Sequence, residues 1–179
     1  MIITISGKAG SGKSTVAKLI AKKLGLRHYS VGDVMREMAS DKGITLLELN
    51  KLAETDKSID FELDDRLKKM GKEKNNFVVD GRLTAFFIPN ADARVFLDAE
   101  NSVRAKRILG DVREEEINEN LKSTMDNIEK RESSEKKRYK KYYGVDYMNS
   151  ELYNLLIDTS SMTPQEVADS IVKFVKNND

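Results

Sequence analysis

The run Gly7-Lys8-Ala9-Gly10-Ser11-Gly12-Lys13-Ser14 satisfies the pattern G-x-x-x-x-G-K-[ST], and each residue type in it suits contact with a polyphosphate. Glycines let the backbone turn tightly, so the N–H groups of a loop running through Ala9 and Ser11 can converge on phosphate oxygens. A helix opening near Lys13 adds unpaired N–H groups and its positive dipole end. Lys13 supplies a point charge for the β- and γ-phosphates, Ser14 a hydroxyl for Mg²⁺, and Thr15 lies within reach of the phosphates. The chemistry implied is binding of a nucleoside triphosphate. Whether the triphosphate then serves a kinase, a switch or a motor is left open by the motif alone.

Such a loop needs a strand to deliver it and a helix to receive it, and both are legible. Ile2-Ile3-Thr4-Ile5 is β-branched and bounded by Gly7, as a buried strand should be. From Lys13 the period becomes helical, with Val16, Leu19, Ile20 and Leu24 on one stripe and Gly25 as the stop. Arg27-His28-Tyr29 suits a short strand, and a helix begins near Gly32. Thr45 to Met70 reads as two helices capped by Thr45 and Ser58. Further strands are expected at Phe77-Val78-Val79, at Arg94 to Leu97 and at Leu155-Leu156-Ile157. Thr163-Pro164-Gln165-Glu166 is a capping box with proline at the first helical position, and Val167, Ile171, Phe174 and Val175 make the buried stripe behind it. Short apolar strands alternating with helices predict an α/β chain with a parallel sheet covered on both faces. The charged stretch from Asp98 to Ser150, poor in large apolar residues before Tyr139, reads as a flap with little core of its own.

Composition narrows the function classes. A chain of 179 residues fits one domain. Lys plus Arg (31) nearly cancels Asp plus Glu (30), so overall charge predicts no polyanionic partner. The stretch from Lys130 to Lys141 could pass for an RNA-contacting helix, but the rest of the chain is too acidic to extend it. No cysteine and a single histidine argue against a structural zinc site and fit a reducing compartment. No apolar run approaches the ~20 residues that span a bilayer, and the opening residues lack the form of a signal peptide. The expectation is a cytoplasmic protein with neither nucleic acid nor membrane as a partner.

Two further segments carry a resemblance. Gly32-Asp33-Val34-Met35-Arg36, followed later by Asp80-Gly81-Arg82, is similar to the G-D-x-x-R and D-G-R segments of nucleoside monophosphate kinases, most closely the short archaeal-type cytidylate kinases. The resemblance runs over essentially the whole chain, to Asp158-Thr159-Ser160. It implies the P-loop NTPase fold: a five-stranded parallel sheet flanked by helices, with a core at 1–31, 72–98 and 151–179, an acceptor-binding insert at about 32–71 and a helical lid at about 99–150. It also implies a monomer that transfers the γ-phosphoryl group of ATP to CMP, and to dCMP, with Mg²⁺, in pyrimidine nucleotide metabolism. Arg36 and Arg82 would then clamp the acceptor phosphate, offsetting its repulsion from the donor. Asp80, at a strand end, could orient the Mg²⁺ waters, and Asp33 is a second carboxylate near the acceptor.

Arg131 to Tyr139 is similar to the R-[DE]-x-x-[DE]-x-x-R segment of the same kinases. On a helix Arg131, Glu135 and Arg138 share one face, which could aim two guanidinium groups at the transferring phosphoryl group, with Glu135 holding them or meeting the acceptor ribose. Arg104 and Arg107 resemble the arginines that begin the lid and face the donor, with Arg113 a further candidate. Asp64, Asp65 and Arg66 match the insert's acidic-then-basic helix, where base or ribose contacts compete with plain surface positions. Two departures stand out: Leu83 replaces an aspartate of bacterial-type cytidylate kinases, and Tyr29 to Asp33 replaces their D-S-G-A. Ser30 is the best candidate near the base. His28 reads as a half-buried packing residue, and Tyr142, Tyr143 and Tyr147 as a packing foot for the lid. Adenylate kinase, another small-molecule kinase, or a nucleotide-hydrolysing switch or RNA-processing factor are the alternatives. The last lacks support because no guanine-reading N-K-x-D run is present.

Overall fold

Strands β1 (Ile2–Gly7) and β3 (Phe77–Asp80) are buried at every position, which requires apolar cover on both faces of the sheet. The computed structural model describes residues 1–73, 75–110 and 120–178. In it β1 lies centrally in a five-stranded sheet of order β2-β3-β1-β4-β5, with β2 (Arg27–Ser30), β4 (Ala93–Asp98) and β5 (Leu155–Asp158) completing it. All four pairings are parallel, as the sequence predicts. The carboxyl ends of β1, β3 and β4 bring Gly7, Asp80 and Asp98 to one edge of the sheet, beside the point where the strand order reverses. Open parallel sheets bind ligands at that edge.

Period-2 alternation assigns the two faces. Ile3, Ile5, Val78, Val95 and Leu97 pack against α1 (Lys13–Leu24) and α8 (Pro164–Asn178) through Val16, Ile20, Val167 and Ile171. Ile2, Phe77 and Val79 turn the other way, onto Leu67 of α4 (Lys57–Glu73) and Ile88 beyond α5 (Thr84–Phe87). Between β2 and β3, α2 (Val31–Asp41), α3 (Leu46–Leu52) and α4 close over their own cluster of Met35, Leu46, Leu49, Ile59 and Leu63. Thr45 caps α3 in a reciprocal box with Glu48. Ser58 does not cap α4. It sits inside the first turn, and Asp56 Oδ1 accepts from its N–H at 2.9 Å and from its hydroxyl at 2.6 Å. An aspartate just before the first helical residue competes well for that position.

The segment between β4 and β5 also departs from expectation. It contains α6 (Asn101–Gly110) and α7 (Leu121–Tyr143), and α7 is not without a core. Its buried side holds Ile128, Ser134, Glu135, Arg138 and Tyr139. Large apolar residues are scarce there because the contacts are ionic, and hydropathy does not register those. Of the three tyrosines read as a packing foot, Tyr147 is buried with Tyr139 and Tyr153 against Leu83 and Phe96, and Tyr143 packs alongside. Tyr142 instead donates from its hydroxyl to Ala53 O at 3.1 Å and Glu54 O at 2.9 Å.

Two glycines with nearly equal torsions separate backbone strain from lack of space. Gly10 (φ 73°) has so little room that a Cβ would lie 2.6 Å from the Arg104 carbonyl oxygen, whereas Gly144 (φ 69°), capping α7, has open space around it. Gly144→Ala is expected to cost about 1 kcal/mol through the left-handed backbone alone. Gly10→Ala should cost roughly 3 kcal/mol or more, because strain and collision add. Thermal unfolding of the two variants side by side measures the difference, and equal losses would contradict the packing described.

Candidate active site

The phosphate loop begins where β1 ends. Lys8 N donates to Leu97 O at 3.3 Å and Ser11 N to Lys8 O at 3.3 Å, which curls residues 8–12 back over the strand. Gly12, at φ 90°, turns the chain into α1 with no side-chain cap, so the first amides of that helix have no partner within it. Lys13 returns over the loop, its Nζ donating to Lys8 O at 2.6 Å. Burial pushes its ammonium well below the usual lysine range, and Arg82 pushes the same way while Asp80 and Glu135 oppose. Residues Ala9 to Val16 line a cavity of about 580 Å³, a size that suits small-molecule ligands.

Gly7 and Lys8 do not line it. The Gly7 carbonyl accepts from Arg82 Nη1 at 2.9 Å, and the Lys8 side chain turns to Asp98 Oδ2 at 2.8 Å. Lys8, counted among the residues of the phosphate loop, uses its side chain to anchor that loop to the end of β4.

Across the cavity stands a charge cluster. Glu135 accepts from Arg82 Nε at 2.7 Å and from Arg131 Nε at 3.0 Å. Burial alone would raise its carboxyl, but Arg82 and then Arg131 outweigh that and hold it down to about 2. Arg82 is correspondingly held above the usual arginine range by Glu135 against the cost of burial. Its Nη2 is buried and has no hydrogen-bond partner, a donor left for a ligand in a cavity that also admits Lys13 and Arg131. Arg36 lines the same space from α2 and is ion-paired to the exposed Asp33.

The register of β2 against β3 sets Ser30 opposite Asp80, with His28 two residues back on the same face. Asp80 is 2 % exposed and receives three contacts: Ser14 Oγ donates to Oδ2 at 2.7 Å, Ser30 Oγ to Oδ2 at 3.2 Å, and His28 Nε2 lies 2.7 Å from Oδ1. His28 thus has a polar partner that its isolation in the sequence hid. Ser30, which also accepts from Asp33 N at 3.4 Å as the cap of α2, lies outside the cavity lining and is spent on this network. No group of three or more His, Cys, Asp or Glu side chains gathers among the described residues. A hydroxyl beside a carboxylate at a phosphate loop is nonetheless the kind of oxygen donor set Mg²⁺ uses, completing its shell with water and phosphate.

Several expected contacts lie elsewhere. Arg104 is 4 % exposed and runs beneath the loop, donating to Ala99 O at 3.0 Å, to Ala9 O at 3.2 Å and to Glu132. It braces the loop, and the structure does not place it against the cavity as a donor-facing residue. Arg107 does line the cavity, steadied by Thr159 O and Oγ1 at 2.7 and 2.9 Å. Arg138 is 2 % exposed and turns from the phosphate loop to the insert, donating to Asn50 O at 2.6 Å and pairing with Asp60 Oδ2 at 3.1 Å. The expectation that Arg131 and Arg138 face one ligand group together is therefore corrected, since the two arginines, two helical turns apart, end on different neighbours. Asp64 lines the cavity with Tyr143 donating to it. Burial pushes its carboxyl up to about 6 although that hydrogen bond lowers it. Arg113 lies outside the described residues, as does the side chain of Arg66. Asn50 and Asp60 also line the cavity, and no local motif in the sequence marks them; Tyr143, read as packing, has the further contact to Asp64.

The Glu135 arrangement has a pH signature. At ~1.4 kcal/mol per tenfold, a fall from an ordinary 4.5 to about 2 corresponds to roughly 3 kcal/mol. That stability is present above pH ~4.5 and is lost as pH falls toward 2. Glu135→Gln should be less stable than the parent by about this amount at pH 7, because two partly buried guanidinium groups lose their carboxylate. The gap in denaturant unfolding should close on acidification between pH 4.5 and 2. A gap that stays constant over that range would count against the pairing.

Known proteins resemble this chain closely in sequence and in fold. The profile of the cytidylate kinase-like family matches residues 2–161. A cytidylate kinase of Archaeoglobus fulgidus is 40% identical over 176 residues, 98% of this chain and 95% of that protein. One of Methanosphaera stadtmanae is 38% identical over 177 residues, 99% of each. Among solved structures, a shikimate kinase from Bacteroides thetaiotaomicron superposes with a TM-score of 0.68 over 98% of both chains at 14% identity. That likeness speaks for the fold, a P-loop kinase architecture, and for nothing finer.

Proposed function

The chain belongs to the cytidylate kinase-like family, and from that premise we propose that it transfers the γ-phosphoryl group of ATP to CMP, and to dCMP, giving CDP or dCDP and ADP. It is a nucleoside monophosphate kinase, a phosphotransferase. The observation that carries the reading is the second cationic site. Besides the phosphate loop, the same cavity holds Arg82 with an unspent Nη2, Arg131 and Arg36. A triphosphate hydrolase has no need of that group, whereas an acceptor phosphate does.

The roles follow from charge and position. The loop amides and Lys13 hold the β- and γ-phosphates, and a phosphate against Lys13 favours the ammonium that burial disfavours. Ser14, with Asp80 behind it, would hold Mg²⁺. That ion, when bound, neutralises charge on the phosphates. Arg82 and Arg36 clamp the acceptor phosphate, and Glu135 keeps Arg82 and Arg131 aimed without neutralising Arg82's second nitrogen. Arg107 lies on the donor side. Phosphoryl transfer asks for positioning and charge stabilisation more than covalent work by the protein, and the residues present supply both. No general base is needed, since the acceptor oxygen is ionised at neutral pH. We propose further that the chain acts as a cytoplasmic monomer without a nucleic-acid partner. No helix among the described residues is long and apolar enough to cross a membrane.

ATP consumption should require an added monophosphate, with CMP the best acceptor in a panel that includes dCMP, UMP, AMP, GMP and shikimate. A clear preference for AMP would overturn the cytidylate assignment, and hydrolysis without any acceptor would overturn the kinase reading. Lys13→Ala should lower turnover by about 100-fold or more while circular dichroism shows the fold retained. Normal turnover by a well-folded variant would defeat the role given to Lys13.

A further inference from the structure

The inward stripe of α4 presents Asp60, Leu63, Asp64 and Leu67 to the cavity, at the i, i+3, i+4, i+7 spacing of one helix face. With Met35 and Leu83 they form a largely apolar compartment on the insert side of the phosphate clamp, suited to a flat heterocycle. Two carboxylates in such a wall need a reason, because desolvating them is costly.

They are not equivalent. Asp60 is claimed by Arg138, which comes within 3.1 Å of Oδ2. Among the described residues Asp64 has Tyr143 alone as a hydrogen-bond partner, its hydroxyl donating to Oδ2, and Oδ1 carries none. Tyr143 is itself wedged between Phe61, Phe86 and Phe87, so the carboxyl is held in one orientation. Asp64 is thus an oriented acceptor with unused capacity, facing the space an acceptor base would fill.

Taking the kinase reading above as its ground, we infer that Asp64, oriented by Tyr143, reads an exocyclic amino group on the acceptor base and so selects cytosine against uracil. An ionised carboxylate only accepts hydrogen bonds. The 4-amino group of cytosine donates one, while uracil carries a carbonyl oxygen at that position and would meet the carboxylate acceptor to acceptor. A site built to bond a donor rejects an analogue that lacks it far more strongly than size alone could, because its buried polar group is left unpaired. With burial raising Asp64 only to about 6, the carboxylate form prevails at neutral pH.

The test is the ratio of kcat/KM for CMP over UMP at pH 7.5, in the parent enzyme, Asp64→Asn and Tyr143→Phe. An asparagine amide can donate to the uracil oxygen, so the ratio should fall by at least ~10-fold in Asp64→Asn, with UMP improving in absolute terms. Tyr143→Phe keeps the ring packing and should lower the ratio by a few-fold, and it decides the matter if Asp64→Asn does not fold. A residue that merely braced α4 would lower both substrates together and leave the ratio unchanged. That result in a folded Asp64→Asn overturns this assignment while CMP kinase activity in the parent upholds the broader reading. A parent enzyme that phosphorylates neither nucleotide removes both.

Discussion

Lys13, Arg82 and Arg131 occupy one cavity, and the repulsion among them is the constraint around which the rest is built. Lys13 shows the strain directly, since burial and Arg82 both disfavour its charge. One carboxylate makes the grouping stable. Glu135 takes the Nε edges of both arginines and leaves the outer nitrogen of Arg82 unspent. A neutral side chain there would leave two partly buried guanidinium groups without compensation, and a second carboxylate would cancel the positive field of the cavity. A single negative charge at this point satisfies both demands.

That constraint explains the composition of α7. Elements that bury a face usually do so with leucine and isoleucine, but this helix does it with Glu135 and Arg138, one directed at the phosphate side and the other at the insert. Arg138 joins Asn50 of α3 and Asp60 of α4, so the helix carrying the phosphate clamp is tied to the helices that roof the acceptor compartment. Arg104 does similar work below, linking α6 to Ala9 of the loop and Glu132 of α7. Buried pairs of this kind are weak contributors to net stability compared with apolar packing. Their value here is orientation: α3, α4, α6 and α7 are held in register by directional contacts in addition to their packing.

Asp80 plays a comparable part at the sheet edge. Three side chains converge on it, Ser14 from α1 and His28 and Ser30 from β2, so the hydroxyl of Ser14 is positioned by the sheet as well as by its own helix. The parallel register of β2 on β3 is what allows this, because it brings His28, Ser30 and Asp80 to one face.

What could be read from the chain was whatever chemistry is local. The phosphate loop, the strand before it, the helix after it, the five strands, the capping box of the last helix and the family resemblance all rest on residues adjacent in sequence, where backbone geometry leaves few options. The destinations of long side chains were decided only by packing. Lys8 went to Asp98, Ser30 to Asp80, Arg104 beneath the loop and Arg138 to the insert, while Asn50 and Asp60 entered the cavity wall with no motif to announce them. A lysine or arginine reaches several ångströms in any of many rotamers, and its partner is chosen by elements far away in the chain. Sequence therefore determined the phosphate-loop motif and where along the chain it lies, and the tertiary structure decided which cations line the cavity beside it and which serve as braces.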